Sequence, residues 1–422
     1  MSGALVLFED GRWPDLSPLT DLLPVPSLAF GASDLATRWR RAANLPLLAV
    51  EARPGPWPGT PGAAGRAPEP ASPGQTGDEE VLVINAAAIP GAWLAESSRV
   101  AGPALFTCGG RRVAARLPRA QLAPGLGRGA GFEAFLAGLD LPAHAVDARV
   151  ISWPWQLIDW NAEAIIEDLA RARGKVRGDV HPSVVSYEPG RVTIEAGARV
   201  DAGAVLDARE GPIHLATEVL VQSHTLVVGP CAVGVGTHLL GGVIGRSTIG
   251  PGCRIAGEVD SCVWQGWANK RHHGFVGHSA IGEWANLGAM TTTSDLKNNY
   301  GTIRVRAGAR ELDSGLVKLG AMIGAGVKTG IGSLLPAGAM VGTGSHLFGG
   351  GRYAPKRLPA FSWWDGERAT EYQLEKFLAT ARHAMGRRGR DLHPPQEEAL
   401  RALFEATADE RREASMATRP TT

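Results

Sequence analysis

Residues 194–211 read IEAGARVDAGAVLDAREG, and their spacing decides the fold. Ile194, Val200 and Leu206 lie six residues apart, and each is followed by an acidic residue and then by small ones. A period of six fits neither an α-helix nor an alternating strand. It predicts a parallel β-helix, in which each hexapeptide supplies one short strand and one turn and the repeated aliphatic side chain points inward.

The same hexapeptide spacing returns further along the chain, which extends the prediction to residues 176–351. It recurs at Ile213 and Val219, at Ile249 and Ile255, at Ile281 and Leu287, and in IGAGVKTGIGSLLPAGAMVGTG at 323–344. Two segments interrupt the repeat, at 256–276 and 292–316. Because a regular solenoid presents flat faces, we expect functional sites where these loops leave it.

The flanking regions have different patterns. Within residues 1–175, strand-like runs such as ALVLFED and EEVLVINAAAIP alternate with helical patterns and predict a small α/β domain. Residues 53–78 are so rich in proline and glycine that we expect a mobile loop. Residues 352–422 carry two helical patterns and predict a C-terminal helical extension. The expected fold class is therefore α/β plus a β-solenoid.

The composition limits the partners and the compartment. The chain has 422 residues, with 43 Lys and Arg against 42 Asp and Glu. It has no marked excess of positive charge that would favour a nucleic acid or a membrane as partner. The four cysteines form no CxxC pair, and the N-terminus lacks the pattern of a signal peptide. We expect a cytoplasmic protein that binds a small molecule.

The first interruption contains NKRHHGFVGHSAIG at 269–282, which places three histidines within seven positions. An imidazole can accept a proton near neutral pH, and three of them with a water can bind catalytic zinc. His238, His273 and His278 could meet at a subunit interface as such a zinc site. Acid–base catalysis, metal binding and a structural role all remain open at this point.

The stretch 269–289, NKRHHGFVGHSAIGEWANLGA, resembles the acetyltransferase signature of the GlmU family. These bifunctional enzymes combine a nucleotidyltransferase domain with a left-handed β-helix that trimerises. The opening LVLFEDGRWPDLSPLTDLLPVPSLAFG at 5–31 is similar to that of GlmU-like sugar nucleotidyltransferases. The resemblance implies a left-handed β-helix of hexapeptide repeats and a homotrimer.

The resemblance also implies a set of site residues. His272 falls on the family's catalytic base, and Asn286 on an asparagine that helps to bind the sugar. The other residues expected to bind substrate are Asn269, Lys270, Asn298, Asn299 and Tyr300. Lys356 and Arg357 are expected to meet the phosphates of acetyl-CoA. No resident metal is expected in this interpretation.

The function that the resemblance implies is acetyl transfer from acetyl-CoA to an amino sugar phosphate or a nucleotide sugar. Upstream, where the family has basic residues for the sugar phosphate, this chain has Glu258 and Asp260, which leaves the phosphorylated sugar open.

Three alternatives stand beside acetyl transfer. The N-terminal domain could be a Mg²⁺-dependent sugar-1-phosphate nucleotidyltransferase, although FEDGRWPDLSPLTDLLPVP at 8–26 lacks a multi-glycine loop and a lysine after its prolines. The histidines could form a zinc site like that of γ-class carbonic anhydrases. The chain could also be a trimer that binds a sugar nucleotide without turning it over.

Overall fold

A computed structural model describes residues 3–53, 79–172, 174–307 and 310–417. Apart from Arg53, the predicted mobile loop at 53–78 lies outside the described residues. Internal packing divides the chain into two units. The first comprises residues 1–16, 23–28 and 34–153, and the second comprises residues 17–22, 29–33 and 154–422.

The first unit is built on a mixed sheet, which confirms the predicted α/β class. The strand Ala4–Phe8 is buried along its whole length and runs parallel to both of its neighbours. Leu5 packs into the core on one face and Val6 into the core on the other. A continuous apolar run is what a strand covered on both faces requires. In sheet order the described strands are Leu47–Glu51, Ala4–Phe8, Glu80–Asn85, Arg111–Pro118, Ala104–Cys108 and Ala143–Ala145. The α-helices are Leu35–Ala43, Ala92–Ser97, Arg119–Leu122 and Phe132–Ala137.

The second unit is a parallel β-solenoid, as the hexapeptide period predicts. Among the described residues, its largest sheet has fifteen strands and a second sheet has nine. The fifteen are Asp179–Val180, Val185–Tyr187, Arg199–Val200, Val205–Asp207, Leu220–Val221, Thr225–Val228, His238–Gly245, Arg254–Asp260, Asn269–Lys270, Phe275–Gly277, Asn286–Leu287, Lys328–Thr329, His346–Leu347, Ser362–Trp364 and Ala369–Glu371. The nine are Val192–Ile194, Ile213–Leu215, Cys231–Val233, Thr248–Ile249, Val263–Trp264, Ala280–Ile281, Met322–Ile323, Met340–Val341 and Arg357–Leu358.

Aliphatic side chains fill the solenoid by stacking from coil to coil. Leu206 lies in register with Val227, which lies in register with Ile244, and the stack continues through Val259 to Val276. All five are buried in one core cluster. Burial of an aliphatic side chain contributes about 1.5–3 kcal/mol, so the repeated apolar position is the main source of stability in this unit.

The second interruption of the repeat is an excursion that leaves the coil intact. Asn286 pairs directly with Lys328 on the adjacent strand, although residues 292–316 intervene in the chain. The excursion carries an antiparallel strand pair, Arg304–Ala307 with Arg310–Asp313. A further parallel pair, Thr292–Thr293 with Leu334–Leu335, joins the coils on either side.

Helices flank the solenoid along the chain. Pro154–Asp159 and Asn161–Leu169 precede the solenoid and contact its strands Ala280–Ile281 and Cys231–Val233. The sequence pattern places these two helices in a first domain ending at 175, whereas packing groups them with the solenoid. The predicted C-terminal helices are present as Leu374–Gly386, Pro394–Ala406 and Ala408–Ala417. Within the described part of the chain, no helix is long and apolar enough to cross a membrane.

Candidate functional site

A pocket of about 430 Å³ lies within the second unit, between the solenoid and the helix Leu374–Gly386. Its lining residues are Trp267, Asn269, Trp284, Ala285, Asn286, Lys328, Thr380, His383, Ala384, Arg387 and Arg388. No Asp or Glu is among the described residues that line it. The pocket therefore combines amide, aromatic and basic side chains.

One row of polar side chains forms a wall of the pocket. Asn269, Asn286 and Lys328 occupy the same register position on three successive strands, which lie about 4.8 Å apart in a sheet. The Nδ2 of Asn269 donates a hydrogen bond of 2.6 Å to Oδ1 of Asn286. The bond fixes both amides and leaves Oδ1 of Asn269 and Nδ2 of Asn286 for a ligand.

Two tryptophans form the aromatic part of the pocket. The rings of Trp267 and Trp284 are stacked, with centroids 5.3 Å apart and planes 9° from parallel. Both residues have positive φ angles, 54° and 60°, which is rare for a bulky side chain and costs free energy. Residues of this size at such corners present a flat apolar surface beside the asparagine row.

The loop that carries His272 leaves this wall directly. Lys270, at the end of the strand Asn269–Lys270, is fully buried, and its ammonium group donates hydrogen bonds to the carbonyl oxygens of His272 and His273, the latter at 2.8 Å. Burial lowers the pKa of Lys270 to about 8. Gly274 has φ +129°, and a Cβ there would lie 2.3 Å from the carbonyl oxygen of Thr291. The backbone of the loop is thus fixed, while the side chain of His272 is exposed.

The structure places Lys270 differently from the expectation that it offers charge to a substrate. The resemblance puts it among the substrate-binding residues, but its ammonium group is turned to the loop carbonyls. In register it lies next to Ile255, an inward-facing position of the preceding coil. Lys270 in this structure supports the loop from beneath.

The other predicted residues lie apart from the pocket lining. Asn298, Asn299 and Tyr300 are exposed in the excursion. Lys356 donates a hydrogen bond from Nζ to the carbonyl oxygen of Arg304 at 3.1 Å. Arg357 forms an ion pair of 2.6 Å with Glu410.

The three histidines of the zinc alternative have separate surroundings. The Nδ1 of His278 lies 2.7 Å from Oδ2 of Asp295. His238 lies in register with Arg254, and burial together with nearby arginines lowers its pKa. His273 is exposed on the loop. Across the described ranges, no group of three or more His, Cys, Asp or Glu side chains is arranged to hold a metal ion.

Sequence reasoning missed the basic and aromatic residues of the pocket. Lys328 lies within a recognised hexapeptide run, but only the register across the excursion places it beside Asn286. Arg387 and Arg388 belong to the basic run MGRRGR at 385–390. That run was a visible signal, although its contact with the solenoid depends on how the helix packs.

In the first unit, the acidic residues that follow the strand Ala4–Phe8 are paired with arginines. The carboxylate of Asp10 is buried and accepts hydrogen bonds from Nε of Arg111 at 2.5 Å and Nδ2 of Asn85 at 2.7 Å. Burial raises the pKa of Asp10, but the hydrogen bonds and the charge of Arg111 outweigh it and hold that pKa below its usual value. Glu9 pairs with Arg53 at 3.0 Å.

Comparison with known proteins finds one family match and two relatives of low identity. A family model described as sugar nucleotidyl transferase matches residues 5–175. The bifunctional protein GlmU of Rippkaea orientalis is 28% identical over 146 residues, which are 34% of this chain and 28% of that protein. The bifunctional sugar-1-phosphate nucleotidylyltransferase/acetyltransferase of Sulfurisphaera tokodaii is 27% identical over 184 residues, 43% of this chain and 40% of that protein. The matches thus span well under two thirds of either relative.

The fold and the pocket define a class of protein in which a parallel β-solenoid, with a pocket lined by basic side chains, follows an α/β sheet unit. The family match, the two relatives and the solenoid together fit a GlmU-like family.

Proposed function

We propose that this protein is a GlmU-like transferase whose solenoid transfers an acetyl group from acetyl-CoA to an amino sugar phosphate or a nucleotide sugar. The observation that carries the proposal is the position of His272. Its exposed side chain stands on a fixed loop, three residues after Asn269, which lines the pocket. The two relatives, GlmU and a bifunctional nucleotidylyltransferase/acetyltransferase, support the same interpretation.

The chemistry requires one proton transfer at the attacking amine. As the amine nitrogen forms a bond to the acetyl carbon of the thioester, the nitrogen must lose a proton and the C–S bond must break, releasing CoA as a thiol. A ring nitrogen of His272 accepts that proton as general base and can pass it to the departing thiolate, so that CoA leaves as the thiol. Lys270 keeps the backbone of His272 in place during this step.

The remaining site residues have proposed roles in binding. Asn269 and Asn286 present amide groups to sugar hydroxyls, and Asn298, Asn299 and Tyr300 contribute from the exposed excursion. Lys356 and Arg357 are proposed for the CoA phosphates, which they would reach by leaving their present partners. A homotrimer would bring a second subunit to the exposed loop and close a cleft around it.

Thiol release measures this function. Purified protein is incubated with acetyl-CoA and a panel of amino sugars, their 1-phosphates and nucleotide-linked forms. His272→Ala is expected to lower kcat by roughly 10²–10⁴-fold, as loss of a general base does. His273→Ala is the matched control, since it removes a neighbouring exposed imidazole, and should keep the rate. No thiol release with any acceptor, or full activity in His272→Ala, would disprove acetyl transfer by this residue.

A second candidate function is sugar-1-phosphate nucleotidyl transfer by the first unit. The family match over residues 5–175 favours it. Both carboxylate oxygens of Asp10 accept hydrogen bonds from Arg111, so this buried carboxylate is not free to bind the Mg²⁺ that such a transfer would use. Pyrophosphate release from a sugar 1-phosphate and each of the common nucleoside triphosphates tests this activity. Absence of release with all of them would leave the first unit without it.

A further inference from the structure

We propose that the pocket holds a phosphate group of its ligand between Lys328 on the solenoid and Arg387 and Arg388 at the end of the helix Leu374–Gly386. The nature of the ligand rests on the proposed function, whereas the phosphate-binding role rests on the pocket itself. The phosphate belongs either to the acceptor sugar or to CoA, and both present the same chemistry to these cations.

Positive charge is concentrated in and around this pocket. Lys328, Arg387 and Arg388 line it, and no acidic residue among the described lining residues offsets them. The charge continues to Arg254, whose pKa is lowered by burial and by its neighbours Arg388 and Arg271. Cations that lie close together repel one another, and a bound phosphate would relieve this repulsion.

The position of Lys328 is the second observation. It lies mostly out of solvent, and burial lowers its pKa. In register Lys328 stands between Asn286 and His346. Both neighbours are neutral, because burial and then the charge of Lys328 lower the pKa of His346 to about 4. A desolvated ammonium group beside neutral side chains is costly unless an anion binds to it.

The basic residues of the helix are held toward the pocket by specific contacts. The Nη1 of Arg388 donates a hydrogen bond of 3.0 Å to the carbonyl oxygen of Gly252. Its remaining guanidinium N–H groups can donate to phosphate oxygens. The guanidinium of Arg390 lies 4.7 Å from the ring centroid of Trp267, which fixes the chain just beyond Arg387 and Arg388.

This arrangement accounts for a difference between this sequence and the pattern of the family that it resembles. Where the family resemblance implies basic residues for the sugar phosphate, this chain has Glu258 and Asp260. Asp260 forms an ion pair of 2.8 Å with Arg246, so its charge is neutralised within the solenoid. The positive charge that a phosphate needs is supplied instead by the C-terminal helix, together with Lys328.

Calorimetric titration of the full-length protein tests the inference. The probes are glucosamine 1-phosphate, glucosamine and CoA. Lys328→Met and Arg387→Gln each remove one cation of the pocket, and Lys376→Met is the control because it removes an exposed cation of the same helix outside the lining. We expect each pocket variant to raise the Kd of a phosphorylated probe by roughly 10-fold or more, the effect of one charge-assisted hydrogen bond. The control should stay within twofold, and glucosamine should be insensitive to all three substitutions.

The outcomes show whether the phosphate belongs to the acceptor sugar or to CoA, and they test phosphate binding separately from acetyl transfer. If only the Kd of glucosamine 1-phosphate rises in the pocket variants, the phosphate belongs to the acceptor, and if only that of CoA rises, it belongs to the cofactor; both results support the inference. The inference fails if neither phosphorylated probe binds, if glucosamine binds as tightly as its 1-phosphate and CoA is unaffected, or if the variants change nothing. Because Arg387 is exposed, its substitution should not disturb folding. Phosphate-dependent binding without thiol release would preserve this inference and remove acetyl transfer.

Discussion

Glu283 provides a test of the structure that does not depend on any activity. Its side chain is 1% exposed, and within the described part of the chain its Oε2 has no hydrogen-bond partner. Burial raises its pKa from 4.5 to about 8, so the folded protein keeps Glu283 protonated at neutral pH. We predict that Glu283→Gln, which preserves shape and removes the ionisable proton, makes stability less dependent on pH.

The sign and size of this effect follow from the two pKa values. Between pH 4.5 and about 8 the unfolded chain loses the proton while the folded chain keeps it. The contribution of Glu283 to stability is therefore fully present below pH 4.5 and declines as pH rises toward 8. The slope is at most about 1.4 kcal/mol per pH unit, or roughly 4–5 kcal/mol over the whole window.

Urea unfolding at pH 5, 6, 7 and 8 measures the difference between wild type and Glu283→Gln. The variant should become the more stable of the two as pH rises. Glu258→Gln is the matched control, because it makes the same change at an exposed carboxylate of the same solenoid. If the wild-type and Glu283→Gln stabilities run parallel from pH 5 to 8, the carboxyl group is not buried as described.

Further predictions concern three other buried polar groups. Lys270→Met leaves the carbonyl oxygens of His272 and His273 without their donor. It should lower the free energy of unfolding by about 1–3 kcal/mol and speed amide hydrogen exchange at residues 271–275. Unchanged exchange there would contradict the supporting role of Lys270. Asp10→Asn removes the charge that pairs with buried Arg111, and should lower the free energy of unfolding of the first unit by about 3–5 kcal/mol in urea. The control is Asp15→Asn, at a more exposed ion pair with Arg12, which should lower it by about 1 kcal/mol or less. His346, whose pKa is lowered to about 4 by burial and by Lys328, should take up a proton on unfolding between pH 4 and 6.5, so wild-type stability falls as pH drops through that range. His346→Phe should flatten that dependence in thermal unfolding, and an equal fall in the variant would show that another group is responsible.

The sequence was sufficient to predict the solenoid because its signal is local and repeated. Ile194, Val200 and Leu206 define the period, and each later run adds an independent copy of it. The strand-like runs of the first unit were equally direct, since a strand buried on both faces must be apolar throughout.

The pocket could be predicted only in part. Asn286 and the loop of His272 were found because a motif carries them. Lys270 reads as a solvated cation between polar neighbours, and only its register with Ile255 shows that it points inward. Lys328 and Arg388 reach the pocket through an excursion and through helix packing, which no short-range pattern encodes.

The way in which the excursion at 292–316 joins the coil has a consequence for how such proteins can vary. Thr292 at its start pairs with Leu334 of the next coil, and Asn286 and Lys328, which lie before and after it in the chain, stay in register. Residues can therefore be gained or lost inside it without rotating any later coil. The segment behaves as an exchangeable module, so related chains could differ in what it contributes to a substrate while retaining the same asparagine and lysine beneath it.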